Sequence, residues 1–165
     1  MRTFIQLLLL VLFMGLAACS SPEADELADY HNRYVEEVNP KADKIDEHLN
    51  KIAMIEAMDE ALAYQKENIN PLVEDIMTFI QQQEPNSDVV KEVHEMRAEQ
   101  LKLWKEGFDL RTEAMKEAAN EAAEAQINSL VEQSDNKMIK AAEYAQQANE
   151  KIASLADQYE FELKE

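Results

Sequence analysis

The reactive groups of this chain are one sulfur, three imidazoles and many carboxylates. Cys19 is the only cysteine, so no intramolecular disulfide can form. Its thiol follows Leu16-Ala17-Ala18 directly. The three histidines are His31, His48 and His94. None lies in a His-Glu-x-x-His run, and none has a glutamate three residues before it, as a bundle di-iron site requires. A hairpin at about residue 85 sets His48 opposite the neighbourhood of Ala122 and His94 opposite that of Ile76, which keeps the three apart. Haem needs axial His or Met held face to face in a core, whereas the 8 methionines fall on apolar stripes, as core filling requires. Neither a metal nor a cofactor is expected. No Gly-x-Ser-x-Gly occurs, and two glycines give little material for an oxyanion loop. Carboxylates such as Asp43, Asp46 and Glu47, or Glu121 and Glu124, have the spacing of solvated helix faces. The chain is expected not to be an enzyme.

The residues before Cys19 give its sulfur a different use. Met1-Arg2-Thr3 carries one positive charge, and Phe4 to Leu16 is apolar apart from Gln6 and Gly15. A charged start, an apolar core and small residues at a cut describe a secretory signal peptide. The run is short of the roughly 20 residues that span a bilayer. A cysteine directly after Leu-Ala-Ala forms a lipobox, which resembles the signal of bacterial lipoproteins. The resemblance implies that Leu16, Ala17, Ala18 and Cys19 form the cleavage signal, with the cut before Cys19, diacylglycerol on the Cys19 thiol and Cys19 as the new first residue. One acyl chain binds a membrane marginally, and two or more anchor firmly at roughly 0.8 kcal/mol per buried methylene. The expected location is extracytoplasmic, lipid-anchored to the cell membrane. Ser20 resembles the signal for export to an outer membrane where the host has one.

Composition then excludes whole classes of partner. The chain has 16 Lys+Arg against 34 Asp+Glu, and removing residues 1–18 takes away only Arg2. Nucleic acid requires a basic patch, and lying flat on anionic lipid requires clustered Lys and Arg. Neither fits. Beyond the signal the single glycine is Gly107, and the turn pairs of β-hairpins are missing. Ala, Glu, Lys, Gln, Leu and Met dominate, all strong helix formers. An all-α fold follows.

Three segments are expected: a signal peptide over 1–18, a lipidated tether over 19–25 and a helical bundle over 26–165. Leu27, Tyr30, Tyr34, Val35 and Val38 recur at helical spacing, until Asn39-Pro40 predicts a break. The stripe resumes through Ile45, Leu49, Ile52, Ile55, Met58, Leu62 and Ile69, and then crosses Pro71, where a kink is favoured over a restart. Glu84-Pro85-Asn86-Ser87-Asp88 is the clearest turn, with Ser87 as cap. A long helix over about 88–133 follows, with two adjacent apolar stripes that demand two neighbours. Ser134-Asp135-Asn136 is the expected last turn, before a helix over about 136–161. An unbroken helix from 88 to 161 is the rival. The alanine-rich stretch from Ala114 to Ala156 lets backbones approach closely. The result is an elongated antiparallel three- to four-helix bundle, coiled-coil-like, in which residues 23–38 either extend the rod or pack as a fourth member.

Trp104, beside Leu101 and Phe108, has the character of a core anchor, and tryptophan is also the typical hot spot of an interface. Tyr30 and Tyr34, near the tether, are further interaction candidates, either packing on the bundle end or touching headgroups. The body is similar to the small, acidic, all-helical surface lipoproteins of Bacillus-type bacteria, including those described as cell-wall-binding. That similarity rests on Asn39-Pro40-Lys41, the Glu84-to-Asp88 turn before Val93-His94, and the Ala/Glu-rich tail. It implies a non-enzymatic envelope lipoprotein, a helical spacer or an interaction module for a protein or wall component. The alternative is a bundle sequestering a small ligand, lipid or metal.

Overall fold

The computed structural model describes residues 21–160 and residue 162. Among them there are five helices and no strand: α1 (Pro22–Ile52), α2 (Met58–Asn68), α3 (Asn70–Gln81), α4 (Asp88–Ala119) and α5 (Glu124–Tyr159). Side-chain pairs give their directions. Tyr30 of α1 meets His94 of α4, and Tyr34 lies under Arg97, so these two helices run parallel. Gln65 bonds to Thr112 and Glu74 pairs with Lys105, so α2 and α3 run against α4. Arg111–Asp135, Glu106–Lys137 and Glu92–Lys151 run α5 against α4 in turn. The fold is a four-rod bundle, up-down-up-down, with α2 and α3 sharing one rod.

Residues 22–38 are the first half of the 31-residue α1, which packs as a full member of the bundle. Its start falls inside the expected tether over 19–25. Ser21 caps the helix by accepting the Ala24 N–H at 3.1 Å, Pro22 opens it, and Glu23 and Asp25 complement its dipole. The break expected at Asn39-Pro40 is corrected, because Pro40 lies inside the helix. Val38 and Ile45 on either side are buried. Their packing outweighs the hydrogen bond that proline removes. Lys41 Nζ also donates to the Glu37 carbonyl at 2.9 Å.

The chain reverses instead at residues 53–57, where the stripe from Ile45 to Ile69 gave no warning. At Pro71 the expected kink is found. Only Ile69 separates α2 from α3, its backbone stays right-handed helical, and it accepts the Val73 N–H at 3.1 Å. The 84–88 turn and its Ser87 cap are as expected, with the Val90 N–H at 3.3 Å from Ser87 Oγ. The register of α2–α3 on α4 differs from a hairpin at residue 85 by about two helical turns.

The last turn falls at Asn120–Ala123, with Glu121 at φ 55°, and not at Ser134–Asn136. Ser134 is fully buried inside α5, and its hydroxyl donates to the Gly107 carbonyl at 2.7 Å. A residue type that caps helices serves here as a small contact between two of them. Ser134, Ala141 and Ala148, seven apart, form the buried edge of α5, a coiled-coil repeat. Gly107 completes it, since a Cβ there would lie 3.1 Å from the Ser134 carbonyl oxygen and 3.2 Å from Met138.

The interior divides in two. One apolar cluster joins α1, α3 and α4 through Val38, Ile45, Val73, Ile76, Ile80 and Leu101, with Ile69 between α2 and α3. The other joins α1, α4 and α5 through Leu27, Val90, Val93, Ile152 and Leu155.

Candidate functional site

Two polar groupings join several helices, one at the end where the chain enters and one in a layer between the two clusters. At the entry end, Glu26 reaches from α1 to the α3–α4 turn. Its carboxylate accepts the Asn86 N–H at 2.5 Å and the Ser87 N–H at 2.9 Å. The Asn86 backbone bond leads the causes that hold this carboxyl below its usual range. Tyr159, at the end of α5, donates its hydroxyl to Glu23 at 3.0 Å. The first turns of α1 are therefore tied to both other segments at this end. An open cleft of about 840 Å³ lies beside the clamp, with Asp29, Arg33, Glu36 and Glu84 in its walls. Its acidic majority repels anions.

The layer is built on Arg97, which occupies an apolar-stripe position of α4 between Val93 and Leu101 and is 5 % exposed. Its Nη1 donates to Gln100 Oε1 at 2.9 Å and its Nη2 to Asn149 Oδ1 of α5 at 2.6 Å. The guanidinium carbon stands 4.4 Å from the Tyr34 ring centroid, a cation–π contact to α1. Its Nε has no hydrogen-bond partner. One turn earlier, His94 Nδ1 and the Tyr30 hydroxyl share a hydrogen bond of 3.2 Å, with the rings edge to face.

Burial raises the Tyr30 and Tyr34 phenols above their ordinary value and lowers His94 below its own. The phenols are thus neutral at physiological pH, and the hydrogen-bond and ring partners of Arg97 carry no charge. A buried cation held by three helices through directional contacts has the geometry of a register pin.

Trp104 is half-buried and stacks on Phe108 with ring centroids 6.0 Å apart, on the central cluster. Tyr30 and Tyr34 are interior, at 2 % and 5 % exposure. His48 shares a 2.8 Å hydrogen bond with the Tyr64 hydroxyl near the far end. Leu16, Ala17, Ala18 and Cys19 lie outside the described residues. Among the described residues, no group of three or more His, Cys, Asp or Glu could hold a metal ion, and no helix is long and apolar enough to cross a membrane.

Sequence reasoning passed over Arg97, although a signal existed: Val90, Val93, Leu101, Trp104 and Phe108 leave position 97 on their own face of α4. The Glu26 clamp has no such signal, because it joins segments sixty residues apart. No protein-family model, curated protein or solved structure matches this chain.

Proposed function

We propose that this chain is a non-enzymatic lipoprotein of the cell envelope, anchored through fatty acyl groups on Cys19, whose helical bundle acts as a spacer or an interaction module for an envelope protein or a wall component. The observation that carries this reading is the run Leu16-Ala17-Ala18-Cys19 after a charged start and a short apolar segment. The fold is compatible with it. With Ser21 as the α1 cap, only Ser20 and Ser21 separate Cys19 from Pro22. The three Cα–Cα steps from Cys19 to Pro22 span at most about 11 Å, so the bundle would stand close against its anchor. The acidic excess would keep its sides off an anionic surface.

Mass spectrometry of the purified native N-terminus tests the reading. The expected species begins at Cys19 and carries diacylglycerol, and Cys19→Ala releases the protein from membranes. A chain still starting at Met1, or a bare thiol at Cys19, overturns it.

A further inference from the structure

The bundle has a second end, and its chemistry differs from that of the sides. Leu49, Met54 and Met58 are 39 %, 83 % and 37 % exposed, three of the four large hydrophobic side chains described as exposed. All three belong to the reversal between α1 and α2. Single exposed apolar residues are ordinary, but three within ten residues concentrate apolar surface at this one reversal. The turn itself, Ala53-Met54-Ile55-Glu56-Ala57, contains none of the Gly, Pro, Asn, Asp or Ser that favour reversals. Local structure therefore gives no reason for placing a methionine at the apex. Methionine is the adaptable residue of binding surfaces, since its unbranched thioether repacks against varied partners.

The charges around this apolar surface select the partner. Glu56, Asp59 and Glu60 flank it, against Lys51 as the only base between residues 49 and 60. We propose that this tip is a docking surface for a basic amphipathic segment of another protein, one that offers an apolar stripe to the methionines and lysine or arginine to the acidic rim. Charge complementarity favours this occupant over the others. A second copy would bring a rim of the same sign, and an anionic lipid surface would be repelled. The surface depends on the fold alone, while its outward position rests on the lipid-anchored reading. The 31 residues of α1 would then hold the tip about 46 Å from the entry end, several Debye lengths from the membrane.

The probe is a fluorescent model helix of leucine and lysine with one apolar face, titrated into the chain purified with its native N-terminus. A leucine–glutamate helix serves as control. Saturable anisotropy change with the basic helix alone is expected, together with slower peroxide oxidation of Met54. Met54→Ser with Met58→Ser should weaken binding about tenfold. Glu56→Gln with Glu60→Gln should weaken it while keeping the apolar tip, and should remove much of its salt dependence. Thermal unfolding of both pairs should match the parent, since these positions are exposed. Binding that ignores both substitutions would mean general attraction to an acidic body, and would overturn the proposal, as would no binding. Self-association lost in the serine pair, or Met54 protection by phosphatidylcholine vesicles, would also overturn it in favour of those occupants. The readout concerns the far end whether or not Cys19 carries lipid, so failure here and failure of the anchor are separable.

Discussion

Desolvating a guanidinium is costly, and at Arg97 only Gln100, Asn149 and the face of Tyr34 offset that cost. Replacing such a buried ion by an apolar residue of similar volume is often neutral or stabilising, whereas removing one partner leaves the charge unsatisfied. Arg97→Met should therefore change stability by less than about 1 kcal/mol, and Asn149→Leu should cost about 2 kcal/mol. Urea denaturation of the two variants checks the order, and an Arg97→Met variant as damaged as Asn149→Leu would give the cation a net stabilising role. His94 adds a pH dependence to the same layer. Its folded pKa lies below the ordinary 6.5, with burial as the leading cause. Above that value both states are neutral there and the group contributes no slope. As pH falls below it the unfolded chain takes up the proton first, so stability declines until the folded pKa is passed. Between pH 7 and 5 the parent should lose more melting temperature than His94→Gln, which keeps a hydrogen-bonding group beside Tyr30. Equal losses would place the slope elsewhere.

The α4–α5 hairpin shows how one small residue sets the distance between two helices. A glycine within a helix costs about 1 kcal/mol relative to alanine, so Gly107 requires a packing reason. The Ser134 carbonyl oxygen, 3.1 Å from where a Cβ would stand, supplies it, because backbone cannot move aside as the Met138 side chain can. Gly107→Ala then sets a gain in propensity against a tight contact. Gly107→Val adds branching against the same fixed carbonyl, and should cost about 2–3 kcal/mol by overpacking, read as a lower urea midpoint. The same hairpin shows what the sequence discloses. The helices, the Ser87 cap and the Pro71 kink are legible because they rest on local chemistry: periodicity, an oxygen near an orphan N–H, a missing N–H. Ser134 and Pro40 mislead for one reason, since each is a local signal for a break that burial between neighbours overrides. The reversals at 53–57 and 120–123 are nearly silent, being set by where whole rods pack. Of the candidate site residues, Arg97 was visible as a charged residue on an apolar stripe. The Glu26 clamp exists only once α1 lies beside the 84–87 turn.

Charge is a property of the whole molecule and cannot be assigned to one contact. The described residues hold nine ion pairs, several of them between neighbours on one helix, such as Lys41–Glu37 and Lys116–Glu113. Exposed pairs of this kind contribute about 0–1 kcal/mol each and are weakened by salt. Opposing them is a formal net charge of −18, whose self-repulsion grows on compaction and is screened as the Debye length falls from about 30 Å at 0.01 M to about 3 Å at 1 M. With 34 acidic residues and 16 basic ones, even complete pairing leaves the whole acidic excess uncompensated, so repulsion outweighs the pairs. The melting temperature should therefore rise as sodium chloride increases from about 0.01 M to 0.5 M, in the range where electrostatic screening dominates. Scanning calorimetry or circular dichroism would follow it. A charge-reduced variant, Glu132→Gln with Glu143→Gln on the exposed side of α5, should start higher at low salt and gain less from added salt. A melting temperature that falls with salt would assign the balance to the ion pairs, and would remove the electrostatic reason for a body that stands off from an anionic surface.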